Sequence, residues 1–263
     1  MTRLLKSLRG LVLPALLIAA WHWQSQQGAS AAYAFVPLER IGAGFAELIR
    51  TGELWLSVAA SLQRTCLGLL LGVLAGFALG AGMALSRPLE RLFAPLYHTI
   101  RQVPILGLIP LIALWFGSGE PSKVLIVSLA AFYPMTLNAF EGFRDVEKRY
   151  REVGRLYAFG PWQQFREVLL PGALPSLSNG VLHALAFAWV SSVGCELFLS
   201  TGMGLGNLMM NAETGSRMEI VVIGVLSIGL LGYAMNQLFA RLSRHLLRWR
   251  HLPCPLLPCV LRS

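Results

Sequence analysis

The chain has 263 residues, 55% of them hydrophobic and only 13% charged, with a net charge of +9, where an ordinary soluble domain carries roughly 25% charged residues. A soluble domain of this length needs more polar surface to cover its core, disorder needs low hydrophobicity, and four cysteines are too sparse and unpatterned for a disulfide scaffold. With a mean hydropathy of +0.59, an all-α integral membrane protein with several spans remains.

A bilayer core takes about 20 apolar residues, within a range of roughly 17–25. Six charge-free stretches approach or exceed that length, at 10–37, 65–86, 102–119, 124–140, 168–195 and 220–240. The ten-residue alternating segments of a membrane barrel are absent. Six transmembrane helices are therefore expected, at about 10–30, 62–86, 98–118, 123–141, 176–197 and 218–240, in a single transmembrane domain covering residues 1–263. Arg3, Lys6 and Arg9 precede the first span, and Trp21 and Trp23 suit its interfacial end. Ala29-Ser30-Ala31 mimics a signal-peptide cleavage site. Cleavage would leave five spans, and the count of basic loops favours a retained first span. Residues 24–53 read as a linker, and 31–61 as an external connection with a short amphipathic helix bearing Ile41, Phe45, Leu48 and Ile49.

Span two carries Gly68, Gly72, Gly76 and Gly80. Spaced four apart, they form one bare helix face that lets another backbone approach closely. The partner helix lies either in the same subunit or across a dimer. Pro104 and Pro110 interrupt span three and Pro134 lies in span four, so backbone groups are expected to open in span three, where helix N-termini favour negative charge. Polar groups in spans face protein or water. Arg101, with Gln102 beside it, and Glu141 lie near the inner face, where long side chains snorkel, and Glu196 ends a helix near the outer face. Asn138, Ser191 and Ser192 are left as candidates to line a pathway, in competition with interhelical hydrogen bonding.

The polar, basic segment 142–175 reads as two short helices. The first covers 145–158 and Gly160-Pro161 breaks it. The second covers 162–170, and Pro171 and Pro175 stop it before span five. With Leu156, Tyr157, Trp162 and Phe165, the two make either a knob for a groove on another protein or a hairpin lying on the bilayer surface. Sixteen Lys and Arg fall in the terminal segments and loops on this side of the membrane, against four (Arg40, Arg50, Lys123 and Arg217) on the other, so both termini are expected in the cytoplasm. Basic residues placed around spans argue against nucleic acid as a partner.

The remaining signals are weak. Cys254 and Cys259 form C-x4-C near His245 and His251 without zinc spacing, so no metal site is expected. Cys66 and Cys195 read as small apolar residues, and no nucleophile–base constellation is visible. The only lysines are Lys6, Lys123 and Lys148, none in a P-loop.

Glu152, Trp162, Gln163, Phe165 and Leu170-Pro171 resemble in register the EAA loop of ABC-importer permeases, with Val153 and Gly154 at the two Ala positions and Ala158 at the expected Gly. Ser61-Leu62-Gln63-Arg64, the run 111–123, Gly202-Met203-Gly204-Leu205-Gly206-Asn207 and Leu246-Leu247-Arg248-Trp249-Arg250 resemble the nitrate, taurine and aliphatic-sulfonate branch. The resemblance covers nearly the whole chain. It implies the type I importer fold with a cytoplasmic EAA coupling loop in a bacterial inner membrane, and permeases paired usually as homodimers. It implies ABC ATPase subunits that use ATP and Mg, a separate solute-binding protein outside, and no cofactor on this chain. It places Glu152, Gly154, Ala158, Gly160, Trp162, Phe165 and Pro171 at the ATPase contact. The competing class is a stand-alone ion-coupled transporter or membrane enzyme. That class usually shows an internal repeat and an intramembrane charge site, and neither is evident in the sequence.

Overall fold

The computed structural model describes residues 2–28, 33–199 and 201–246, and among these the regular structure is entirely helical. Ala29-Ser30-Ala31 and the tail from residue 247, with Cys254 and Cys259, lie outside the described residues. The helices are α1 (Thr2–Ser25), α2 (Leu38–Thr51), α3 (Glu53–Leu85), α4 (Arg87–Ile100), α5 (Ile105–Phe116), α6 (Glu120–Arg144), α7 (Lys148–Leu156), α8 (Pro161–Gln164), α9 (Leu170–Phe198), α10 (Leu205–Thr214) and α11 (Met218–Leu246). Among the described residues four segments are long and apolar enough to cross a membrane: Glu53–Leu85, Glu120–Arg144, Pro161–Phe198 and Met218–His245. The pair α4 and α5, bent by 99°, makes a fifth if counted as one broken span. The first expected span falls on α1.

Local chemistry sets these boundaries, and in three places it departs from the expected ones. Glycine ends α2: Gly52 takes φ +78° and its N–H donates to Ile49 O at 3.2 Å. The expected span 98–118 is not continuous. Pro104 has no N–H and disfavours helix at the residue before it, so the chain turns between Ile100 and Ile105. At about 1.5 Å per residue, the 12-residue α5 is too short to cross alone. Conversely, Pro171 and Pro175 do not stop a helix. A π-helical turn, Phe165–Leu169, joins α8 to α9, and Leu170 N–H donates to Phe165 O. The extra residue in that turn relieves the clash a proline makes with the preceding turn, so one helical path runs from Pro161 to Phe198. The helix α10 was not expected from the sequence.

The chain divides into two compact units, Met1–Gln63 with Val193–Leu230, and Arg64–Ser192 with Leu231–Ser263. In the first, α2 lies against the start of α11. Gly44 leaves room for Glu219 and Ile223, and Arg217 holds Glu47 through two hydrogen bonds of 2.6 and 3.1 Å. The Arg217 guanidinium, hydrogen-bonded to Glu47, holds that carboxyl below the usual carboxylate range. In the second unit, the four glycines of α3 face α6. A Cβ on Gly72 would lie 2.3 Å from Ser128 O, and one on Gly80 2.5 Å from Thr136 O, so the two backbones run in direct contact. Gly142 and Gly180 open the other side of this seam, where Ser176 and Asn138 fill the space. Ser176 Oγ donates to Asn138 O at 2.9 Å, which ties α9 to α6.

Candidate functional site

The segment after α6 folds into a knob clamped to that helix. Arg151 on α7 donates from Nη2 to the carbonyls of Phe143 and Arg144, the latter at 3.3 Å. Those are the last carbonyls of α6, which a cation both bonds and stabilises against the helix dipole. Gly154 is buried because Gln164 lies on it: a Cβ there would meet Gln164 Oε1 at 2.2 Å. Gln164 Nε2 in turn donates to Arg151 O at 3.2 Å. The turn itself is made at Ala158, with φ +53°. Ala158 N–H donates to Arg155 O at 2.9 Å and Phe159 N–H to Gly154 O at 3.0 Å, the paired bonds of a Schellman ending. The expected break at Gly160-Pro161 therefore sits two residues early. Gly160 has φ −64°, and its N–H donates to Gln163 Oε1 at 3.1 Å at the start of α8.

Two features distinguish the knob. Its tip is apolar and uncovered: Leu156 is 85%, Tyr157 74% and Trp162 69% exposed. Its base is rigid. Trp162 stacks on Phe165 (centroids 5.8 Å), Phe165 on Phe143 of α6 (5.6 Å), and Phe143 meets Phe77 of α3 edge-on (5.9 Å). Glu152 is exposed beside the tip. Pro171 lies beyond the π-helical turn, in the first turn of α9. The contacts of Arg151 and the aromatic ladder escaped the sequence reading, because they are set by how α6, α7 and the π-helical turn pack and not by a local pattern.

Within the same unit a cavity of about 660 Å³ opens between the α4–α5 break, α6 and α9. Asn138 and Ser191 line it. Ser192 does not, being fully buried. Asn138 Nδ2 donates to Pro134 O at 2.8 Å. Arg101 and Gln102 line the cavity at the break, with His183 from α9. Arg101 lies over the Tyr97 ring at 5.9 Å, and Tyr97 OH donates to Tyr133 O at 2.7 Å.

Two charge clusters account for the motifs at 61–64, 111–123 and 202–207. In the second unit, Arg64 grips Glu120 with two hydrogen bonds of 2.9 and 2.8 Å, and the fully buried Lys123 lies 3.5 Å from the same carboxylate. Glu120 opens α6, where a carboxylate is favoured by the dipole. In the first unit, Glu196 is fully buried. It accepts from Ser61 Oγ at 2.7 Å and from Gly206 N–H at 2.8 Å, while Leu205 N–H donates to Ser61 Oγ at 3.0 Å. The glycine motif 202–207 is the seat of this carboxylate at the N-terminus of α10: a Cβ on Gly204 would lie 2.5 Å from Glu196 Cδ. Glu196 thus joins the buried core and does not merely end a helix. An acid a few residues before a glycine-rich helix start was the available signal.

Residues 68–248 match the family described as "Binding-protein-dependent transport system inner membrane component". The aliphatic sulfonates transport permease protein SsuC of Bacillus subtilis (strain 168) is 35% identical over 244 residues, 93% of this chain and 88% of that protein. The taurine transport system permease protein TauC of Escherichia coli (strain K12) is 33% identical, covering 74% and 71%. Among solved structures, inward-facing conformations of the MetNI methionine ABC transporter match with a TM-score of 0.59 at 21% identity, over 73% of this chain and 96% of that one.

Proposed function

The chain belongs to the family of binding-protein-dependent transport system inner membrane components, the permease subunits of ABC importers, and we propose that it carries a small anion, of the sulfonate, taurine or nitrate kind, through a pathway that includes the α4–α6–α9 cavity. A permease subunit moves solute and leaves ATP hydrolysis to a partner ATPase; a binding protein delivers the solute. Asn138 and Ser191 face the solute. Two copies of the chain pair, both termini lie in the cytoplasm, and the knob seats in a groove on the ATPase.

The observation that carries this reading is the uncovered tip of the knob, joined through its base to the cavity helix α6. Burying a large apolar side chain contributes about 1.5–3 kcal/mol, so Leu156, Tyr157 and Trp162 together offer enough for a protein contact after ordering costs. The charges around the tip favour protein over anionic lipid. Glu147 pairs with Arg149 and Glu167 lies 3.8 Å from Arg166, so the surface is of mixed sign, whereas lipid-surface helices present a basic face. In mild detergent the tagged chain is expected to co-purify with a P-loop ATPase. Solute transport by the chain alone, without ATP, would contradict the reading.

A further inference from the structure

Resting on the reading of the chain as an anion permease subunit, we propose that the α4–α6–α9 cavity is itself a binding site selective for anions, with Arg101 and His183 as the groups that engage the acid oxygens. Three observations converge. First, the described lining of the cavity includes Arg101 and His183 but no Asp or Glu. Cationic groups in a lining that holds no acid favour a negative ligand. Second, Arg101 is positioned without being neutralised. Its guanidinium lies over the Tyr97 ring, a cation–π contact that orients the group and, together with a hydrogen-bonding interaction toward the Tyr97 hydroxyl, leaves most of its N–H donors available. The ring is in turn held by the Tyr97–Tyr133 hydrogen bond, and among the described residues Arg101 makes no ion pair. Third, the break at Pro104 points a helix start at the same space. Ile105 and Leu106, the first residues of α5, line the cavity, and Pro104 supplies no side-chain cap. The positive end of the α5 dipole therefore lies beside it, although Gly107 N–H is already bonded to Pro104 O. Gln102 and Ser191 add neutral donors.

A planar or tetrahedral oxyanion with a small apolar tail fits this arrangement: oxygens toward Arg101 and the start of α5, tail toward Phe187 and Val190. Selection then occurs twice, once in the binding protein and once in the permease, and a cationic solute of equal size is refused at the second step.

The test uses the permease–ATPase complex in nanodiscs, free of nucleotide and binding protein, titrated calorimetrically with ethanesulfonate and with ethylammonium. Saturable ethanesulfonate binding and none for ethylammonium are expected. Arg101→Gln and His183→Gln should each weaken binding by about tenfold or more, and Arg101→Lys should restore most of it. Gel filtration and basal ATPase activity report assembly, and if the Arg101→Gln complex fails to assemble, the His183→Gln complex decides. Undiminished binding in an assembled Gln variant overturns the proposal, as does a wild-type complex with no saturable binding. ATP-driven uptake of ethanesulfonate, taurine and nitrate by the wild-type importer separates the two levels. Uptake of any of them without binding at this cavity leaves the anion-permease reading standing and removes only this site. Uptake of none removes that reading as well.

Discussion

Ala158 shows how a single residue can hold a bend that its chemistry does not favour. An L-residue in the left-handed region costs roughly 1–2 kcal/mol relative to the right-handed helix, and both hydrogen bonds of the Schellman ending are nevertheless formed there. Ser216 takes φ +58° at the end of α10 with the same pair of bonds: its N–H donates to Glu213 O, and Arg217 N–H to Ala212 O. In both turns a glycine is close by, Gly160 and Gly215, but not at the left-handed position. A reading that places turns at glycines therefore misplaced the bend by two residues, since the hydrogen-bond register of α7, and not the nearest permissive residue, decides where it falls. Replacing Ala158 with Gly should stabilise the loop by about 0.5–1 kcal/mol, and Ala158→Val should destabilise it by at least as much. Thermal unfolding of the purified chain in detergent measures both, and a clear loss of stability in Ala158→Gly would contradict the assignment of the bend.

At the scale of elements, the α3–α6 seam was legible and its partner was not. The spacing of Gly68, Gly72, Gly76 and Gly80 defines a bare stripe; only the fold reveals that α6 of the same chain occupies it. Gly82, on the same helix, lies outside the stripe, and an added Cβ there meets nothing closer than Leu89 Cδ1 at 3.4 Å. Gly72→Ala is expected to cost about 1–3 kcal/mol by overpacking, whereas Gly82→Ala should stay within about 0.5 kcal/mol. Unfolding midpoints compare the two, and equal tolerance would show that the helices can move apart without penalty. The proline rules fared unevenly for a physical reason. At Pro104 the chain has no compensating geometry and turns by 99°. At Pro171 the π-helical turn supplies it, and a π turn leaves no mark in hydrophobic periodicity. Helix α10 escaped notice because its start is specified by a distant pair, Ser61 and Glu196, and not by its own ten residues.

For the whole molecule, composition and span spacing were enough to reach a multi-span membrane protein, and the loop register to reach the importer family. They could not supply the mechanical link. That link consists of Arg151 on the α6 carbonyls and the stack from Trp162 through Phe165 to Phe143, and α6 also carries Tyr133, Pro134 and Asn138 into the cavity. On the proposed reading, force applied at the tip would reach the cavity wall through these packed, directional contacts, the requirement for rigid-body switching between two arrangements. The most direct measurement is solute uptake per ATP hydrolysed in the reconstituted importer carrying Trp162→Ala. Uptake is expected to fall by about tenfold or more, with the chain still folded and ATP still hydrolysed by the partner. Unaltered uptake per ATP in this variant and in Glu152→Ala would contradict the account, because the knob would then have no part in moving the solute.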